Sequence, residues 1–118
     1  MKEYDVFVPL NYNDGSPIEA EKFQRIQAFL LERFEGLTFF SQPNEGFWKM
    51  GGITYRDEIV IYRVLSANPR AARRHLRVLK QLLKKDLQQE EILVVERDVD
   101  TLRRMMPSHP QRRRVLLH

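Results

Sequence analysis

The sequence contains no cysteine. Disulfide frameworks, thiolate nucleophiles and Cys-ligated zinc are thereby excluded, and a reducing compartment fits. No apolar run approaches the ~18 residues of a membrane span. The opening "MKEYDVFVPL" is broken by Asp5 and is too short for a signal peptide. A soluble cytoplasmic protein is the expectation. Internal repeats, low-complexity segments and phosphate-loop motifs are also missing. At 118 residues the chain suits one compact domain with a real core, and is too short for two.

What is present is charge, unevenly placed. The net charge is +4. Residues 101–118 hold five arginines (Arg103, Arg104, Arg112, Arg113, Arg114) and no acid, leaving 15 basic and 16 acidic groups before them. The body is therefore nearly neutral and a basic tail sets the pI near 9.6. We read residues 1–100 as the folded domain and 101–118 as a basic C-terminal extension.

Local patterns give six elements. Residues 4–10 are rich in Val and Phe and end at Pro9 and the turn-forming "NYNDG", which reads as a strand. Ser16, Pro17 and Glu19 form a capping box, predicting a helix over 17–35 with a stripe of Phe23, Ile26, Leu30 and Phe34 and a left-handed stop at Gly36. A strand over 37–41 is interrupted at Gln42-Pro43-Asn44, resumes over 47–50, turns at Gly51-Gly52 and returns over 53–65. Asn68-Pro69 opens a second helix, to Leu87 or Gln88, whose buried stripe is Ala72, Leu76, Leu79 and Leu83. A last strand covers 92–99.

This β-α-β-β-α-β order resembles the ferredoxin-like split βαβ arrangement, an α+β fold. The resemblance implies a four-stranded antiparallel sheet in order 4-1-3-2 with two helices on one face. A narrower likeness lies in "FEGLT", "GFW" and "YRDE". These are similar to the Gly-Leu-Thr, Gly-x-Trp and Arg-Glu signatures of a small bacterial family of unknown function. Here Asp57 stands between Arg56 and Glu58, where that signature has them adjacent. The likeness brings no catalytic residues.

The Gly-Gly turn sets a register. It places Met50 opposite Ile53, Trp48 opposite Tyr55, Phe47 opposite Arg56, and Glu45 opposite Glu58. The last is a like-charge pair that requires splayed strands or an intervening cation, Lys49 or Arg56. Asp57 and Glu58 point to opposite faces, so they are no acid–base pair in one cleft. Arg56 and Glu58 share a face beside Phe47 and Lys49. Trp48, Tyr55, Arg56 and Glu58 are thus candidate ligand-binding residues, against the plainer reading of a solvated structural ion pair.

Other candidates carry less. His75 sits at the margin of the second helix's apolar stripe and reads as a boundary residue. His109 and His118 lie in the Pro- and Arg-rich tail, where no rigid frame holds a general base. Glu96, Asp98 and Asp100 alternate and could face a hard cation, but edge strands carry such charges to block aggregation. No metal and no cofactor is implied. The second helix presents Arg70, Arg73, Arg74, Arg77, Lys80 and Lys84 with no acid before Asp86, either a solvated face or, with the tail, a phosphate-binding surface. The aromatic signature of RNA-recognition sheets is missing, which limits that surface to phosphate contacts.

The strands raise a further question. Ile59, Ile61 and Leu65 share one face of the third strand, and Val60, Tyr62 and Val64 share the other. Two helices cover only one face, so a second subunit, the tail or a ligand must cover the other. The leading reading is a homodimeric interaction or small-ligand-binding protein, paired through its open sheet face. The alternatives are a nucleic-acid-associated protein using the second helix and tail, and a cofactor-free enzyme of the dimeric α+β barrel type, for which no nucleophile or phosphate loop speaks.

Overall fold

In the computed structural model, which describes residues 1–102, the elements run β1 (Lys2–Pro9), α1 (Ala20–Arg33), β2 (Gly36–Met50), β3 (Ile53–Ser66), α2 (Pro69–Asp86) and β4 (Val94–Asp98). The basic extension from Arg103 onward, with His109 and His118, lies outside the described residues. All strand pairs are antiparallel, and the order β2-β3-β1-β4 is the expected 4-1-3-2 read from the other edge.

Strand alternation builds the core. Tyr4, Val6 and Val8 of β1 and Val60, Tyr62 and Val64 of β3 point to one face and are buried. There they meet Ile26 and Leu30 of α1 and Ala72, Leu76, Leu79 and Leu83 of α2. Each buried Val, Leu or Ile among them contributes roughly 1.5–3 kcal/mol, before the entropy of ordering it. Both helices lie on this face, and the α2 stripe is the one its spacing predicts. Asn68 caps α2 by accepting from the Ala71 N–H at 3.2 Å.

Helix α1 departs from expectation at both ends. It begins at Ala20, and Ser16 is engaged instead by the Asp14 carboxylate, at 2.9 Å from its N–H and 2.6 Å from its hydroxyl. Pro17 bridges to Asn11, and the Ile18 N–H donates to the Leu10 carbonyl at 2.9 Å. Burying Ile18 in an extended segment outweighs the capping box. At the other end Phe34 turns extended and buried, and Gly36 opens β2 without a left-handed backbone.

The helix-free face is not uniformly apolar. At the end of the sheet where β1 begins it carries Glu3 and Asp5 of β1, Arg63 of β3 and Arg97 of β4. Arg63 holds Asp5 through Nε and Nη2 at 2.8 and 3.0 Å. Arg97 Nη2 donates to Asp5 at 2.7 Å and to Glu3 at 2.9 Å. Asp5 is only 4% exposed, closed over by two guanidiniums. The Arg63 guanidinium also lies over the Phe40 ring, 4.9 Å from its centroid. Phe7, Ile61, Leu65 and Val95 surround this cluster, half-buried. Counting only the apolar positions of β3 therefore overstates how greasy the face is.

β1 pairs with β3 only along Ile59 to Ser66. Beyond Pro9, where the Leu10 N–H still donates to the Glu58 carbonyl at 2.9 Å, the stretch from Asn44 to Glu58 continues as a two-stranded arm paired only within itself. At about 3.3 Å per residue it projects by roughly 20 Å. The radius of gyration, 16.0 Å, exceeds the ~13 Å of a compact domain of this size, and the long axis reaches 51 Å.

Candidate functional site

Two surfaces stand out, the arm and a cleft beside α2. The arm's register is the one the Gly-Gly turn dictates: Met50 faces Ile53, Trp48 faces Tyr55, Phe47 faces Arg56, and Glu45 faces Glu58. Gly51 and Gly52 have φ of +58° and +78°, the two positive values that a tight two-residue turn demands. Between Phe40 and Asn44 the β2 register slips by two residues against β3, where Pro43 interrupts the ladder.

This register divides the four candidate ligand-binding residues. Trp48 and Tyr55 lie on one side of the ribbon with Met50 and Ile53. Arg56 and Glu58 lie on the other with Glu45, Phe47 and Lys49. They form no single pocket. On the charged side, Arg56 Nη2 donates to the Glu45 carboxylate, which offsets the like charge of Glu45 and Glu58 across the strands. Both partners are more than half exposed, so the pair contributes little to stability.

The apolar side has no cover. Met50 and Ile53 are each 57% exposed and Tyr55 44%. Trp48 is half-buried because its indole lies against Gly46, two residues earlier on the same side. By strand parity this side carries Asp57, opposite Gly46, and then continues into Ile59 and Ile61 on the helix-free face of the sheet. The outer backbone edge of β2 and the edge of β3 before Ile59 have no neighbouring strand among the described residues. The arm thus presents an apolar side together with free hydrogen-bonding edges.

On α2, the six basic candidates also divide. Arg73 binds Glu96 of β4 through Nε and Nη2 at 2.7 and 3.0 Å, and Lys80 binds Glu91 at 3.1 Å. Hydrogen bonds from Arg73, joined by the proximity of Tyr4, hold the Glu96 carboxyl down to about 2. Arg70, Arg74 and Arg77 make no ion pair among the described residues, and Lys84 is partly buried. The helix is therefore less cationic than its sequence. Glu96 and Asp98, the alternating acids, serve as partners of Arg73 and Lys2. His75 is a boundary residue, edge-on to Phe34 with ring centroids 6.2 Å apart.

Between α2 and β4 lies an open cleft of about 220 Å³, lined by Tyr4, Arg73, Leu76, Arg77, Lys80, Val94 and Glu96. The Tyr4 hydroxyl is buried beside Arg73 and Glu96, close enough to interact with both but outside hydrogen-bond geometry to either. Burial, with the nearby Glu96 carboxylate, pushes the phenol up to about 12. Sequence reasoning finds the cations of this cleft but not the tyrosine, which reads as one more apolar strand position.

No protein-family model matches the sequence, and no curated protein matches it either. Among solved structures, the chain is similar in fold to a phage SAM lyase in complex with S-methyl-5'-thioadenosine (TM-score 0.60, 18% identity, 82% of this chain and 80% of that one). It is also similar to a point mutant of CutA1 from Pyrococcus horikoshii OT3 (TM-score 0.56, 14% identity, 87% of both chains). At these identities the likeness establishes a shared small α+β fold of two helices on a compact sheet.

Proposed function

We propose that this protein is a homodimeric interaction protein whose subunits associate through the apolar side of the β2–β3 arm and the sheet face that continues it. One observation carries the reading: Trp48, Met50, Ile53 and Tyr55 form an uncovered apolar side on a ribbon that nothing else in the described chain supports. A two-stranded ribbon is marginally stable in water on its own. The residues on this side are the type that interfaces bury.

A second copy is the occupant that fits best. A free β-edge carries alternating donors and acceptors, so two such edges satisfy each other in antiparallel array about a two-fold axis. The opposite side of the arm carries two acids and two bases, Glu45, Glu58, Lys49 and Arg56, and the one charge on the apolar side is Asp57, opposite Gly46 at the base of the arm and away from Met50 and Ile53. The Asp5 cluster lies at the far end of the sheet face, with its charges already paired. The contact therefore centres on the arm. A small ligand held between subunits, beside Trp48 and Tyr55, is compatible with this arrangement. The S-methyl-5'-thioadenosine bound by the phage SAM lyase makes an aromatic-lined site worth testing, though the fold alone is shared.

Sedimentation at micromolar concentration tests the proposal. The wild type is expected at twice the 14.1 kDa chain mass. The double variant Met50→Glu/Ile53→Glu is expected at the chain mass, with unchanged far-ultraviolet circular dichroism. A wild-type monomer, or a double variant that stays dimeric, would overturn the reading.

A further inference from the structure

We infer that the cleft between α2 and β4 is a binding site for a small phosphate monoester, with Tyr4, Arg77 and Lys80 as its principal contacts. Arg73, Arg77 and Lys80 follow at spacings of four and three residues, so they stand along one side of the helix, over the cleft. Glu96 is the single acid in the lining, and Arg73 grips both of its oxygens. Lys80 shares its ammonium with Glu91 but keeps further donors, and Arg77 has no ion partner among the described residues. With Glu96 and Glu91 set against Arg73 and Lys80, the three cations leave a net positive charge centred on Arg77, suited to the anion that a phosphate monoester is near neutral pH.

The Tyr4 hydroxyl is the second, independent indication. Tyr4 is 2% exposed, its oxygen is shielded from solvent, and it has no hydrogen-bond partner. Native proteins rarely leave a buried hydroxyl unpaired, and a ligand oxygen is one partner that would complete it. The phenol stays protonated across the physiological range and so retains a donor for an anionic oxygen. Leu76 and Val94 add an apolar wall for the organic part of an ester. A guanidinium that is not already paired, an ammonium and a phenol donor are the groups that recognise phosphate oxygens.

Amide-detected NMR titration of the full chain at constant ionic strength tests this, with inorganic phosphate, phenyl phosphate and a single-stranded oligonucleotide as probes. Phenyl phosphate is expected to give saturable shifts at the β4 and central α2 amides, and to bind more tightly than inorganic phosphate. Tyr4→Phe and Arg77→Gln should each weaken it by about tenfold. Arg25→Gln, a solvated cation on α1, should leave it unchanged. Tyr4→Phe keeps the ring in the core, and its melting temperature should stay within a few degrees of the wild type's, because the hydroxyl it removes makes no well-formed hydrogen bond in the free protein. Three results would overturn the inference: no saturable shift up to about 10 mM ligand, affinity indifferent to Tyr4→Phe and Arg77→Gln, or tighter binding of the oligonucleotide than of the monoester.

Discussion

The indole of Trp48 lies against Gly46, and a Cβ added at position 46 would stand 3.3 Å from the ring. That distance is tighter than ordinary van der Waals contact, so any side chain at 46 must displace the indole. The backbone at Gly46 is not left-handed, which separates ring displacement from backbone strain. Gly46→Val is therefore expected to shift the emission of Trp48 to the red, and Trp48 is the sole tryptophan of the chain. Because the arm is distant from the core, the melting temperature should change little. An unchanged emission maximum would mean that the ring does not rest on Gly46.

The turn supports the arm separately. Gly51 and Gly52 both adopt positive φ, where a residue with a Cβ costs about 1 kcal/mol or more. Gly52 has no atom within 4 Å of a built Cβ, so backbone conformation alone decides the effect of a substitution. Gly52→Val should speed amide exchange across residues 47–56 and leave the amides of Val6 and Tyr62 protected. Equal loss of protection in arm and core would show that the arm folds cooperatively with the sheet.

The hairpin is legible in the sequence and the sheet face is not, for related reasons. Two consecutive glycines leave one short turn open to the chain, and that turn fixes every cross-strand pair from Met50–Ile53 back to Glu45–Glu58. The α2 stripe is equally legible, because Ala72, Leu76, Leu79 and Leu83 repeat at helical spacing with a cap before them. The helix-free face escapes such reading because its charges come from three strands. Asp5 faces Arg63, and Glu3 faces Arg97, only once the β1–β3 and β1–β4 registers are known. The start of α1 is obscured in a similar way. The Leu10 carbonyl that holds Ile18 extended belongs to a different local pattern. Nothing in the sequence marks the Tyr4 hydroxyl as unpartnered.

The charge pairs differ sharply in what they contribute. Asp5 is almost fully enclosed, and loss of its charge leaves the Arg63 and Arg97 guanidiniums sharing the Glu3 carboxylate alone, though each retains some solvent access. Asp5→Asn is expected to destabilise the fold by about 2–3 kcal/mol, below the ~3–5 kcal/mol of a fully buried broken pair because the arginines are partly solvated and keep Glu3. Glu45→Gln, which breaks the exposed pair with Arg56, should cost less than about 1 kcal/mol. Urea denaturation of both variants measures the contrast. Equal costs would place Asp5 in a far wetter environment than its burial implies.

Acid should reveal the same cluster. Burial pushes the Asp5 carboxyl up, but hydrogen bonds from Arg63 and Arg97 outweigh it and hold the group below its ordinary value of 3.8. The folded state then binds fewer protons than the unfolded chain on the acid side, so stability falls as pH falls. The contribution of Asp5 is fully present above about pH 4 and is lost as pH drops through the lower folded value. Glu96, held down to about 2 by Arg73, acts in the same direction over an overlapping window. The wild-type unfolding free energy should therefore slope downward from about pH 4 toward pH 2. Asp5→Asn should flatten part of this slope, and Glu96→Gln should leave the Asp5 part intact. If Asp5→Asn and wild type run parallel through that range, the Asp5 carboxylate is not held low by its arginines, and the enclosed cluster at the end of the sheet is not the electrostatic clamp its geometry describes.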